Sequence, residues 1–184
     1  GTTTDFQFIE CVYGFMGDTE FKVNANGNVY ADGGYYGPAD FAEMLAVSSG
    51  ARSVEAGDVM VIDPGSDRSI TMSSKARSTL VAGIYSTAPG FVGSPRDWDK
   101  AVGEDQSGTF SFDDMATLHD EIPLAVMGIV PCKVSAENGP IEPGDLLVTS
   151  DTPGHAMRDA SPPVGAVIAK ALGSLHSGTG VIEV

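Results

Sequence analysis

The sequence predicts a mainly β protein in which a short β-stalk segment leads into a compact β-barrel or sandwich-like head, with one short helix at the joint. Three observations support this fold class. The 184 residues include 23 Gly and 11 Pro, which is too many for a helical bundle. Short apolar runs separated by turn residues recur through the second part of the chain. Helical spacing is convincing in one short stretch, which lies between these two parts.

The N-terminal segment, residues 1–36, has the pattern of short strands joined by tight turns. Phe6, Phe8 and Glu10 alternate at period two, as do Phe21 and Val23, and "NANGN" and "ADGG" supply hairpin signals. These strands are too short and too sparsely apolar to form a core alone. We therefore expect this stalk-end segment to pair with copies of itself.

The stretch "GPADFAEMLAVSSG", within residues 37–50, predicts the helical joint. Asp40 is a suitable N-cap, and Glu43 follows at the spacing of a capping box. Three residues at i, i+3 and i+4 would form the apolar face of this helix: Phe41, Met44 and Leu45. Asp40 and Glu43 could instead act together on a peptide bond, one polarising it and one taking a proton. The spacing favours the capping role, and no catalytic residue is assigned.

The head, residues 51–184, is predicted to be a succession of buried strands separated by Gly, Pro and Asn turns. Two stretches in it are alike: "VEAGDVMVI" and "IEPGDLLVT", each followed by a strand of small residues. The Gly57-Asp58 and Gly144-Asp145 pairs are predicted to make tight turns that enter core strands. The similarity indicates a duplicated β-unit.

Residues 94–123 interrupt the head and are predicted to be a long surface insertion, with a weaker helical candidate at 111–121. This insertion holds Trp98, the single Trp of the chain, between two Asp residues. An exposed Trp with neighbouring carboxylates can stack on a sugar ring, although a lone Trp more often anchors a loop. A weaker hypothesis is therefore a glycan-binding tip that uses Trp98, Tyr35 and Tyr36.

The chain has 10 Lys and Arg against 25 Asp and Glu, a formal net charge of −15. This charge repels phosphate backbones and anionic lipids, so nucleic acid and membrane are not expected as partners. The sequence contains no phosphate-binding or dinucleotide fingerprint and no metal-ligand spacing, so no cofactor or metal is expected. Cys11 and Cys132 allow either one disulfide or two buried thiols. Because the sequence opens at Gly1 and stops within strand-like residues, we expect it to be a piece of a longer protein.

Three blocks of sequence carry a resemblance to a known family. They are "EFKVNANGNVYADGGYYGPADFAEML" (20–45), "VAGIYSTAPGFVG" (81–93) and "VPCKVSAENGPIEPGDLLVTSDTPGHAM" (130–157). In this order they resemble the C-terminal regions of phage tail-fibre and neck-appendage proteins and related bacterial surface proteins. The resemblance implies a homotrimer with an intertwined β-stalk and a globular head. In the neck-appendage branch, the similar domain is an intramolecular chaperone that trimerises the fibre and then cuts itself off.

The residues and the resemblance together favour a non-enzymatic protein, the trimeric head of an extracellular or virion-associated fibre. Its expected partners are its own copies, together with a cell-surface or filament partner, and its expected location is extracellular or on a cell or virion surface. The alternative is a self-cleaving chaperone domain with Asp40 or Glu43 at the scissile site, since both residues fall in the shared motif.

Overall fold

The structure is a computed structural model that describes residues 7–13, 18–25, 28–33, 37, 40–86, 88–93 and 120–184. The chain divides into two compact units, Gly1–Gly37 and Pro38–Val184. The described residues are mainly β and include no helix of seven residues or more. The predicted mainly β fold class is therefore confirmed.

The first unit contains a three-stranded antiparallel meander, which we call the N-terminal sheet. Its strands are β1 (Gln7–Tyr13), β2 (Asp18–Asn24) and β3 (Val29–Ala31). The middle strand is β2, and the pairing of β1 with β2 is irregular at two points. These hairpins agree with the period-two pattern of the sequence.

The second unit begins with a closed five-stranded barrel. Its strands, with the added strand β8, are β4 (Asp40–Val47), β5 (Val59–Ile62), β6 (Ser69–Met72), β7 (Val81–Tyr85), β8 (Phe91–Gly93) and β9 (Glu121–Gly128). The ring runs β4-β6-β5-β7-β9 and returns to β4, because β4 pairs with β9 on one edge and with both β6 and β8 on the other. Closure satisfies the backbone groups that an open sheet would leave unpaired.

A second five-stranded sheet follows. Its strands are β10 (Pro131–Ser135), β11 (Leu146–Thr149), β12 (Ala156–Arg158), β13 (Val167–Lys170) and β14 (Thr179–Glu183). The strand order is β13-β11-β12-β10-β14. The corresponding order in the barrel is β7-β5-β6-β4-β9, so each strand has a counterpart in the same place. We call the two sets of five strands the first repeat and the second repeat.

The hydrogen bonds confirm that the two repeats are structural duplicates. Gly57 N–H donates to the carbonyl of Tyr85 at 2.8 Å, and Gly144 N–H donates to the carbonyl of Ala171 at the same distance. Each repeat also contains one parallel pairing, β4 with β6 and β10 with β12. The pairings β5–β7 and β11–β13 carry a register shift at corresponding positions. The similarity of the two sequence stretches therefore reports a duplication of the whole β-unit.

The predicted helix over 37–50 is wrong. Asp40–Val47 forms β4, which pairs with β9 from Asp40 to Ala46. Burial alternates along the strand, with Ala42 and Met44 fully buried between half-buried neighbours. Tertiary pairing overrides the local helical pattern, because closing the barrel requires an extended strand between β9 and β6. Helical structure near this site is limited to the short 3-10 turn Ala51–Ser53.

The predicted end of the insertion at residue 123 is also wrong. Glu121–Pro123 already belongs to β9 and is buried. The apolar run 124–134 is divided into two strands, because β9 ends at Gly128, whose φ of 114° favours glycine, and β10 begins at Pro131. Residues 94–119 and nearly all of the weaker helical candidate at 111–121 lie outside the described residues.

Two apolar clusters hold the second unit together. One fills the first repeat and includes Met60, Ile70, Ile122 and Leu124. The other fills the second repeat and also takes in Val59, Ile84 and Ala125 from the first. The second of these clusters therefore joins the two repeats, because it takes buried residues from both. No helix among the described residues is long and apolar enough to cross a membrane.

Candidate interaction surfaces

One face of the N-terminal sheet carries a block of apolar side chains. Residues paired across neighbouring strands lie on the same face, and so do residues two apart along a strand. The pairings place six side chains in one block, two from each strand: Ile9, Cys11, Phe21, Val23, Val29 and Ala31. Ile9 is 52% exposed and Val29 61% exposed, whereas Phe21 and Val23 on the middle strand are half-buried, so among the described residues the outer strands of this face are open to solvent.

The opposite face of the same sheet is polar. Glu10 pairs with Lys22, and Lys22 pairs with Tyr30. The Lys22 ammonium group lies 5.0 Å from the centre of the Tyr30 ring, within the range of a cation–π contact. Thr19 donates a hydrogen bond to Glu10 at 3.2 Å. The sheet is thus amphipathic, and a three-stranded sheet of this size needs its apolar face covered to be stable.

The two candidate acids lie on opposite faces of β4. Asp40 is on the same face as the fully buried Ala42 and is only 6% exposed, and its Oδ2 atom has no hydrogen-bond partner among the described residues. Glu43 is half-buried on the other face, where a methyl group added at Gly93 would lie 3.1 Å from its Oε1. Side chains alternate between the two faces of a strand, so two residues that are three positions apart point to opposite faces. The geometry therefore does not bring the two carboxylates together, and the capping box predicted from the same spacing is absent.

The other three residues of the predicted helix face are divided in the same way. Met44 is fully buried on the same face as Asp40, whereas Phe41 and Leu45 are half-buried on the opposite face, where Leu45 packs against the core cluster of the first repeat. The Phe41 ring stacks on the Phe91 ring of β8 with 5.1 Å between the ring centroids. Phe41 therefore helps to attach β8 to the barrel.

The Gly57-Asp58 and Gly144-Asp145 pairs form the tight turns that the sequence predicted. Gly57 has φ of 90° and Gly144 has φ of 94°, as a type II turn requires at its third position. In both turns the Asp carboxylate accepts a hydrogen bond from the backbone N–H three residues earlier, at 2.8 Å for Asp58 and 3.0 Å for Asp145. Each Asp thus fixes the start of a core strand, β5 or β11.

Each of these Asp residues also has a cationic partner that the sequence analysis did not identify. Lys133 lies 2.7 Å from Asp58 and 2.9 Å from Glu55, and Arg158 lies 3.3 Å from Asp145. Burial acts to lower the pKa of Lys133, but the hydrogen bonds and charges of Asp58 and Glu55 outweigh it and raise that pKa. Both cations come from other strands, so spacing along the sequence does not indicate that they pair with these Asp residues.

A groove in the second unit lies between β7, β9 and β13. It has a volume of about 380 Å³, and its lining residues include one charged side chain, Lys170. Several large apolar side chains on its walls are 41–72% exposed: Val126, Met127, Ile129, Val167 and Leu172. No local pattern in the sequence indicates this groove, which depends on the relative position of the two repeats.

The glycan hypothesis rests on Trp98, Tyr35 and Tyr36, which lie outside the described residues, so it stays a prediction. Among the residues that the structure does describe, no group of three His, Cys, Asp or Glu side chains is placed to hold a metal ion. Cys11 and Cys132 are both free, Cys11 exposed and Cys132 buried. The structure therefore does not show a disulfide between Cys11 and Cys132.

Comparison with models of protein families gives no match, and neither does comparison with curated proteins. Among solved structures, the chain is similar to pre-mature bacteriophage phi29 gene product 12, with a TM-score of 0.58 and 13% sequence identity. The match covers 95% of this chain and 25% of the phage protein, so the chain spans about a quarter of that protein's length. At this identity the likeness concerns the fold, which is therefore one that a phage protein also adopts.

Proposed function

We propose that this chain is part of a virion-associated or extracellular fibre, that it forms a homotrimer, and that its role is structural, without turnover chemistry. The observation that carries the proposal is the apolar block on the N-terminal sheet, whose outer strands are exposed among the described residues. Burial of a large aliphatic side chain stabilises by about 1.5–3 kcal/mol, and Ile9 and Val29 are more than half exposed in one chain. Matching faces of further copies would bury this surface.

The charge of the protein supports self-association through this face. The chain carries a net charge of −15, so copies repel one another except where an uncharged surface is shared. All six residues of the apolar face are uncharged, whereas Glu10 and Lys22 are on the opposite face. The order of the three sequence blocks that resemble phage fibre and appendage proteins, and the fold shared with a phage protein, agree with this proposal.

Analytical ultracentrifugation of the purified chain and of two variants tests the proposal. We expect the wild type to sediment with three times the monomer mass. Val29→Lys places a charge on the apolar face and should give monomers. Tyr30→Lys is the matched control, because it adds the same charge one residue later on the polar face, and it should remain trimeric.

A second readout is the thiol of Cys11, which lies on the apolar face and is exposed in the single chain. It should react slowly with a thiol reagent in the wild-type assembly and fast in Val29→Lys. A wild type that stays monomeric at all concentrations would contradict the proposal. So would a Val29→Lys variant that assembles as well as Tyr30→Lys.

A further inference from the structure

A cavity leads from the surface into the barrel of the first repeat. Its volume is about 620 Å³, which is within the range of small-molecule sites. All five strands of the ring contribute to its lining, and the buried residues Ile70 and Leu124 form its deeper part. Ile62 and Val126 also line it and are about half exposed, so the cavity is open to solvent.

A carboxylate lies on the apolar wall of this cavity. Glu43 lines it, and across the β4–β9 pairing Glu43 is opposite Leu124, while Leu45 is opposite Ile122. Paired residues and residues two apart share a face of the sheet. Leu45, Ile122 and Leu124 belong to the core cluster of the first repeat, so half-buried Glu43 is on the core-facing side of β4.

The position of the Glu43 carboxylate depends on a glycine. Gly93 of β8 pairs with Glu43 in the parallel β4–β8 pairing. A methyl group added at Gly93 would lie 3.1 Å from Oε1 of Glu43 and 3.2 Å from both Cδ and Oε2. The carboxylate therefore lies against the backbone of β8, in space that the side chain of any other residue would take.

The carboxylate has no cation beside it among the described residues. None of them forms a hydrogen bond or an ion pair with Glu43. Arg68, the other charged residue in the lining, instead donates a hydrogen bond to the carbonyl of Met44 at 3.4 Å. A carboxylate that is partly removed from water gains most from a hydrogen-bonded cation. The net charge of −15 also attracts cations to the protein and repels anions.

We propose that this cavity binds a small organic cation, an aliphatic amine in its ammonium form. The ammonium group pairs with the Glu43 carboxylate, and the aliphatic chain enters the barrel along Leu45 and Leu124. This inference goes beyond the proposed self-association, since the cavity is formed entirely by residues of the second unit, Pro38–Val184.

Titration of the full chain with hexylammonium at pH 7 tests the proposal. Binding is followed by NMR shifts of the methyl groups of Leu45 and Leu124, which line the cavity. Three further probes separate charge from chain. Hexan-1-ol has the chain without the charge, hexanoate has the opposite charge, and methylammonium has the charge without the chain.

We expect saturable binding of hexylammonium at millimolar concentration, with an affinity at least about tenfold above that of hexan-1-ol or hexanoate. From methylammonium to hexylammonium the affinity should rise by up to about fourfold for each CH₂ group that enters the cavity. Both trends are required, because the proposed site has one charged and one apolar part.

Three variants test the role of the carboxylate. Glu43→Gln should lower the affinity for hexylammonium about tenfold and leave that for hexan-1-ol unchanged. Asp40→Asn is the matched control, because it removes the same charge from the opposite face of β4 and should bind as the wild type. Gly93→Ala should also weaken hexylammonium binding, since the added methyl group displaces the carboxylate.

The proposal is overturned if hexylammonium causes no saturable shifts at Leu45 and Leu124, or if hexan-1-ol binds as tightly as hexylammonium. Equal affinities of Glu43→Gln and Asp40→Asn for hexylammonium would also overturn it. Val29→Lys, designed to prevent self-association, should bind hexylammonium as the wild type does. The cavity and the self-association proposals therefore fail separately.

Discussion

The Nζ atom of Lys133 on β10 lies 2.7 Å from Oδ1 of Asp58, the residue that precedes β5, and so joins the second repeat to the first. Asp58 is 3% exposed and the Lys133 side chain about a fifth exposed. Lys133 N–H also donates to the carbonyl of Gly57 at 2.9 Å. This ion pair therefore holds the entry turn of one repeat against a strand of the other.

Lys133→Met should destabilise the fold by roughly 2 kcal/mol, because it leaves the buried Asp58 carboxylate without its cation while keeping most of the apolar stem. Urea unfolding followed by circular dichroism measures the loss. The control is Glu55→Gln, since Glu55 bonds the same Lys but is exposed and solvated. Equal losses from the two variants would show that burial of Asp58 is not the source of the effect.

Acid should destabilise the protein through carboxylates such as Asp159. Ser161 N–H lowers the pKa of Asp159, burial opposes this, and the Arg77 guanidinium at 2.6 Å lowers it further. Since the folded-state pKa lies below the unfolded value of about 4, this stabilisation is present above pH 4 and is lost as the pH falls through the folded-state pKa.

We therefore expect the melting temperature to fall below about pH 4, and Asp159→Asn to lower it at neutral pH while flattening the acid decline. Differential scanning calorimetry from pH 2 to 7 measures both effects. Asp67→Asn, a substitution at an exposed turn residue, should reproduce the wild-type profile. If the melting temperature of Asp159→Asn declines in acid as steeply as that of the wild type, Asp159 is excluded as a contributor to the acid sensitivity.

Gly83→Ala should damage the seam that closes the first repeat. A methyl group at Gly83 would lie 2.5 Å from the carbonyl oxygen of Ala125 and 2.7 Å from Cγ of Leu124. Overpacking of this kind costs about 1–3 kcal/mol, and the nearest atom here is backbone, which cannot rotate away. Gly33→Ala is the control, because nothing lies within 4 Å of its added methyl group. Chemical unfolding should give a lower free energy of unfolding for Gly83→Ala than for Gly33→Ala. Equal free energies of unfolding would contradict the close approach of β7 and β9.

The two thiols should differ sharply in reactivity. Burial, and to a smaller extent the charge of Asp58, raises the pKa of Cys132 to about 12. Because the thiolate is the reactive form, Cys132 should stay unmodified by a thiol reagent at pH 8 and react only in denaturant. Cys11→Ser should leave no native thiol to titrate even in the Val29→Lys variant. Fast native modification of Cys132 would mean that its strand opens readily.

Self-cleavage through Asp40 and Glu43 is tested by a longer precursor on a gel. Because the two carboxylates lie on opposite faces of β4, we expect them not to act as a pair on one peptide bond. Asp40→Asn and Glu43→Gln should therefore give the same band pattern as the wild type. A precursor that yields two bands as wild type and one band as either variant would restore the catalytic role of that residue.

The sequence by itself predicted the elements whose signals are local. Turn chemistry located the entries into β5 and β11, because Gly57 and Gly144 need a backbone φ that other residues avoid. Period-two alternation predicted the hairpins of the N-terminal sheet, and the repeated Gly-Asp pattern predicted the duplication. These features depend on residues close together in the chain, so the sequence carries them directly.

The tertiary structure decided what depends on distant partners. The stretch around Asp40 and Met44 has helical spacing, yet it is extended because β9, some eighty residues later, pairs along its length. Lys133 meets Asp58 because the two repeats lie side by side. Backbone pairing across a closed barrel and shared burial outweigh local propensity, and these forces act between residues that no sequence window contains.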